Sequence, residues 1–124
     1  MNEERVITVL VVDDEPSNID LIKGVLSEGV KVKAATNGTL AIKIAQKVPP
    51  PDIILLDVMM PEMDGHEVCR RLKADPATSN IPVVFLSGND SADEIKTGME
   101  MGALAYLSKP VNPDALREVL GKIS

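Results

Sequence analysis

Aromatic residues are almost missing from this sequence: Phe85 and Tyr106 stand alone among 124 residues, and there is no tryptophan. Proteins that grip nucleic acid combine a basic stripe with rings on which bases stack. Here 13 Lys and Arg are outnumbered by 19 Asp and Glu, a net charge of -6, which speaks against direct nucleic-acid binding by this segment. Cysteine is as scarce. Cys69 has no second thiol to pair with, so an internal disulfide is excluded, and it reads as a small apolar residue in a reducing compartment. Long apolar runs are lacking too. Residues 1–15 open with two acids and reach an acidic cluster after a short apolar stretch, the pattern of neither a signal peptide nor a membrane span. The expected location is cytoplasmic, with no membrane partner. A glycine-rich phosphate loop ending in Lys-Ser or Lys-Thr is also missing, which removes the common nucleotide-binding loop.

What is present suits one globular domain over residues 1–124, which can equally be the front piece of a longer protein. Hydrophobic residues make up 44% and charged residues 26%, far from the composition of disorder. Five short β-branched runs alternate with five stretches of helical apolar spacing, the signature of repeated βα units around a parallel sheet. Residues 6–12, 53–56 and 83–86 are nearly all apolar, as central strands covered on both faces must be. Residues 30–35 and 105–107 are weaker and belong at or near the edges.

Caps mark the helices. Asn37 precedes the stripe Leu40, Ala41, Ile44, Ala45 and Val48. Asn112-Pro113-Asp114 places a capping residue, a proline at the first helical position and an acid in the first turn. Ser91-Ala92-Asp93-Glu94 fits a capping box, but the helix it opens carries Thr97, Gly98 and a thin stripe of Ile95, Met99 and Met101. That fourth helix is expected to be the least stable. The proline and polar stretches at residues 49–51 and 75–80 are loops into strands three and four.

Asp13, Asp14 and Glu15 follow the first strand, and Asp57 ends the third. Ligands of open α/β sheets bind at the carboxyl ends of the strands, where the chain reverses direction. If strands one and three are neighbours there, the carboxylates converge. Clustered carboxylates repel unless a cation neutralises them, and hard oxygen ligands without nearby His or Cys favour magnesium. The plainer reading, that the acids only favour the positive end of the first helix, suits one acid better than three plus Asp57.

Val11-Val12-Asp13-Asp14-Glu15, the run Leu55-Leu56-Asp57-Val58-Met59-Met60-Pro61-Glu62-Met63-Asp64-Gly65, Ser87, and Lys109-Pro110 together resemble the receiver domains of two-component response regulators, over essentially the whole chain. The small relatives it looks like are single-domain chemotaxis-type regulators. The resemblance implies a flavodoxin-like, doubly wound (βα)5 fold with a five-stranded parallel sheet in strand order 2-1-3-4-5. It implies that Asp57 is the phosphoacceptor, assisted by Ser87 and Lys109. Asp14, an Asp57 oxygen and the main-chain carbonyl of Met59 would bind Mg2+ directly and Asp13 through water, with Mn2+ able to substitute. It further implies a cis peptide between Lys109 and Pro110, a switch pair of Ser87 and Tyr106, and an influence of Met59 and Asn89 on phosphoryl lifetime.

Taken singly, Lys109 also reads as an exposed strand-end lysine, Ser87 as a turn residue before Gly88, and Tyr106 as an edge residue with its hydroxyl in water. His66, on the first turn of the third helix, reads as a surface residue, and Met59, Met60 and Met63 as loop and core packing. The implied partners are a sensor histidine kinase or histidine phosphotransfer protein upstream and an output protein or domain downstream. The implied state is a monomer or a phosphorylation-promoted dimer, acting as a switch whose helix 4, strand 5 and helix 5 surface carries the signal. It would be no enzyme beyond its own phosphorylation and slow dephosphorylation.

Three competing readings are weaker. A haloacid-dehalogenase-like phosphatase wants a second acid two residues after its nucleophile, where this chain has Met59. A flavodoxin-like carrier would set a flavin phosphate against Asp13, Asp14 and Glu15. A phosphorylation-independent interaction module would have lost a site residue, and none is missing.

Overall fold

The computed structural model describes residues 6–26, 29–88 and 91–123. In chain order the elements are β1 (Ile7–Val12), α1 (Pro16–Val25), β2 (Val30–Ala35), α2 (Gly38–Ala45), β3 (Ile53–Asp57), α3 (Gly65–Ala74), β4 (Val83–Ser87), α4 (Ala92–Glu100), β5 (Ala105–Ser108) and α5 (Pro113–Gly121). All strand pairings are parallel, and the sheet order is β2-β1-β3-β4-β5. The fold is therefore the doubly wound α/β arrangement with strand order 2-1-3-4-5. The chain moves from β1 outward to β2, then returns across β1 to build β3, β4 and β5 on the other side. The reversal lies between β1 and β3, whose carboxyl ends are aligned by the register Val12↔Leu56.

Side chains alternate across each strand, so the apolar runs supply both faces at once. Leu10, Val12, Ile54, Leu56 and Phe85 bury against Ala41, Val68 and Leu72 of α2 and α3. Val9, Val11, Ile53, Leu55, Val84 and Leu86 bury against Ile19 and Ile22 of α1 and Leu116 and Val119 of α5. β3 and β4 are buried at every position, whereas β2 and β5 at the edges are only partly covered. Val6 lies outside β1 and is exposed, so the first strand starts one residue later than its apolar run suggests.

The caps hold the helices as their side chains dictate. Asn37 accepts from the amide of Leu40, Asp64 from Glu67, Ser91 from Glu94, and Asn112 from Asp114 and Ala115. α4 buries only Gly98 among its residues. Such thin anchorage agrees with the weak apolar stripe and places α4 at the low-stability end of the fold.

Candidate functional site

The carboxyl ends of β1 and β3 bring Asp13, Asp14 and Asp57 together, with one carboxylate oxygen of each within 4.8 Å of the others. Asp13 is fully buried, Asp57 nearly so and Asp14 half-buried. Gly65 explains why the loop after β3 can fold back so tightly: a Cβ there would lie 2.3 Å from the main-chain oxygen of Asp57. No side chain fits that gap.

Lys109, just beyond β5, reaches into the cluster. Its Nζ donates to Asp13 Oδ2 at 2.9 Å and lies 2.9 Å from Asp57 Oδ1. The other oxygen of Asp13 accepts from the amide of Glu15 at 2.9 Å and, more loosely, from Asn18 Nδ2 at 3.5 Å. Asn18 also donates to Glu15 Oε1 at 2.9 Å, so it ties the start of α1 to the acidic loop. Asp14 accepts no hydrogen bond from the described residues, which leaves its oxygens free for another cation.

Burial pushes the carboxyl of Asp57 above its ordinary range, the hydrogen bond from Lys109 pulls it down, and the nearby charges of Asp13 and Asp14 push it up again. For Lys109, burial alone would lower the value, but its bonds to Asp13 and Asp57 hold the ammonium above its usual range. Burial apart, the opposite pulls on Asp57 come from a single ammonium shared between two carboxylates while a third stands close by. Lys109 stays charged, and Asp57 is the group short of positive charge. An added hard cation would meet that deficit, and the all-oxygen donor set is the kind that holds one.

The family model of the response regulator receiver domain matches residues 9–121. The chain belongs to that family. Among curated relatives, this receiver is 46% identical over 105 residues to the response regulator PleD of Caulobacter vibrioides, covering 84% of this chain and 23% of PleD. It is 41% identical over 110 residues to a probable cyclic di-GMP phosphodiesterase of Vibrio cholerae, covering 89% of this chain and 25% of that protein. The receiver thus spans about a quarter of the length of these relatives. Among solved structures, the chemotaxis protein CheY4 of Vibrio cholerae aligns with a TM-score of 0.86 at 31% identity, covering 96% of this chain and 99% of that one. A putative response regulator of Chloroflexus aurantiacus aligns with a TM-score of 0.87 at 31% identity, covering 94% and 96%. The chain is a regulatory receiver domain, and it matches only 25% of the phosphodiesterase named among its relatives.

Around the receiver's carboxylates, Ser87 is buried at the end of β4, one residue beyond Leu86, which pairs with Asp57. The amide of Lys109 donates to the carbonyl of Ser87 at 2.8 Å, so the two sit side by side. The Lys109–Pro110 peptide is cis, and so is Val48–Pro49. Met59 is 73% exposed, unlike Met60, which is buried, and Met63, which packs against the core. Asn89 lies outside the described residues. Tyr106 is partly buried and leans on Phe85, with ring centroids 6.2 Å apart.

His66 departs in part from the surface position expected of it, being half-buried. Its ring packs edge-to-face against Phe85, with centroids 5.3 Å apart, and its Nε2 is buried without a hydrogen-bond partner among the described residues. The expectation holds for the edge of the ring that lines an open groove and fails for the edge that meets Phe85 of β4. The sequence carried a signal in retrospect: Gly65 next to it brings the helix start hard against the end of β3.

Proposed function

We propose that Asp57 accepts a phosphoryl group from a histidine phosphodonor, with Mg2+ held at the acidic cluster and Mn2+ able to replace it. The observation that carries this reading is a buried carboxylate at the end of β3, flanked by Asp13, Asp14 and Lys109 and short of positive charge. Asp14, an Asp57 oxygen and the Met59 carbonyl would hold the ion directly. Asp13 would act through water, since both its oxygens already accept hydrogen bonds. Bound magnesium would supply positive charge to the nucleophile and to the phosphoryl oxygens.

In the transfer, an Asp57 oxygen attacks phosphorus, the new P–O bond forms as the P–N bond to the donor imidazole breaks, and the leaving imidazole keeps the bond electrons. Lys109 neutralises charge on the phosphoryl oxygens, and the Ser87 hydroxyl donates to one of them. Charge-assisted hydrogen bonds are worth about 1.5 to 3 kcal/mol each, so these two contribute on the order of 3 to 6 kcal/mol. Inverting a two-state balance needs about 5.5 kcal/mol, so contacts formed only after phosphorylation suffice to move α4, β5 and α5. As Ser87 moves toward the phosphoryl group, Tyr106 turns into the space it leaves. Met59 and Asn89 match the family's variable positions that influence the lifetime of the phosphoryl group.

The donor is a sensor histidine kinase or a histidine phosphotransfer protein in the cytoplasm. Leu21 of α1, exposed and lining a groove beside Lys109, Pro110 and Val111, offers it an apolar foothold next to the acceptor. No helix among the described residues is long and apolar enough to cross a membrane. We assign residues 1–124 to a single receiver domain that catalyses only its own phosphorylation and slow dephosphorylation. It acts on an output protein or domain, as a monomer or a phosphorylation-promoted dimer. The test is intact mass after incubation with acetyl phosphate and Mg2+. One phosphoryl adduct is expected, lost with a chelator and in Asp57→Asn; an adduct that persists in that variant, or none in the native chain, overturns the assignment.

A further inference from the structure

His66 is the single histidine of the chain, and the acidic site makes no use of it. It sits in the first turn of α3 with its ring on Phe85 and its Nε2 buried and, among the described residues, unpaired. Phe85 leans in turn on Tyr106 of β5. α4 rests on the same two rings at Gly98, where a Cβ would lie 3.0 Å from Phe85 Cδ2 and 3.1 Å from Tyr106 Cδ2. Four elements therefore meet in one aromatic stack, and a titratable ring stands at one end of it.

The same histidine lines an open groove of about 500 Å³ together with Glu62, Asp64, Glu67, Arg70 and Arg71. Those are the charged groups facing it from α3 and from the loop before α3. β4 presents Phe85, β5 presents the phenol of Tyr106 behind it, and from the α4 side only the apolar Met101 lines the groove. Of the three groove carboxylates, Asp64 caps α3 and Glu67 is paired with both Arg70 and Arg71. Among the described residues, Glu62 is the one left uncommitted.

We propose that His66 is a proton-operated regulator of the α4 face: when the imidazole takes up a proton, the ring leaves its seat on Phe85 for the groove beside Glu62, and α4 loosens. A neutral imidazole is tolerated against an aromatic ring, but an imidazolium carries an N–H and a share of positive charge at a nitrogen that has no acceptor. Burying a charged group without a partner costs far more than leaving a neutral bond unmade. Attraction of the imidazolium to the Phe85 ring acts in the opposite sense and is the weaker effect. The displaced ring leaves a gap beside Phe85, and α4, with Gly98 its only buried residue, has little else to hold it. Acidification would thus act on α4 without any chemistry at Asp57.

The test is NMR of the full chain, without phosphodonor or divalent cation, from about pH 8 to about pH 5. Because His66 has no rival imidazole, its ring signals report its protonation directly. The amide signals of residues 95–101 and 106 are expected to move with the same midpoint as that ring. Exchange protection of the α4 amides should fall about tenfold across the transition, after correction for intrinsic rates. The response should vanish in His66→Leu and persist in Asp57→Asn, which separates it from the acidic site. α4 signals that ignore the ring titration, that follow pH equally in His66→Leu, or that lose their response in Asp57→Asn overturn the proposal; the comparison of ring and amide midpoints in the native chain decides the matter even if His66→Leu does not fold.

Discussion

At Asp57, burial and the neighbouring aspartates work against the negative charge while Lys109 supports it, and the balance leaves the carboxyl raised. A raised acid binds its proton more tightly in the folded than in the unfolded chain. Its destabilising effect is absent below the ordinary carboxylate range, grows as pH climbs through the interval up to the raised value, and is complete above it. Without a divalent cation, Asp57→Asn should therefore be more stable than the native chain at neutral pH, with the gap closing on acidification below the ordinary carboxylate range. Urea unfolding at several pH values checks this; an equal gap at all pH values contradicts it. A second residue-scale strain lies at Glu62, whose φ of 69° puts a side chain in the left-handed region. Glu62→Gly should stabilise the chain by about 1 kcal/mol in the same assay. The identities of Asp13, Asp14, Asp57, Ser87 and Lys109 were legible as a motif, but the sharing of Lys109 between Asp13 and Asp57 was not, because an ion pair 96 positions apart exists only once β1 and β5 have taken their places in the sheet.

The helices differ in how much tertiary contact supports them, and glycine substitutions expose the difference. Gly24 of α1 has nothing within 4 Å of a would-be Cβ, so Gly24→Ala should gain helix propensity, up to about 1 kcal/mol. Gly98 of α4 would gain the same propensity but drives a methyl into Phe85, which is fully buried and has no room to yield. Overpacking costs about 1 to 3 kcal/mol, so Gly98→Ala should be destabilising on balance, in contrast to Gly24→Ala. Thermal unfolding of the two variants side by side tests the contrast. Capping was the most readable feature of these elements: Asn37, Ser91 and Asn112 each accept the bond their spacing predicts, since a cap depends only on residues a few positions away. The packing of His66 was not readable, because it depends on β4 and on the tight approach of Gly65 to β3.

For the whole molecule, sheet order and site geometry follow from one event, the reversal between β1 and β3. The apolar runs of residues 53–56 and 83–86 located the central strands because burial on both faces leaves no room for polar residues. The weaker runs located the edges for the converse reason. Cation binding should couple to global stability: Mg2+ at a hundred times its dissociation constant would raise unfolding free energy by about 2.7 kcal/mol, and much less in Asp57→Asn. The central claim is narrower, that Asp57 and not Asp13 or Asp14 carries the phosphoryl group. Borohydride reduction of the acetyl-phosphate-treated protein, followed by peptide mass mapping, tests it most directly, since an aspartyl phosphate is reduced to homoserine where it forms. The account predicts homoserine at position 57 alone; homoserine at position 13 or 14, or none in a chain that has gained the phosphoryl mass, would contradict it.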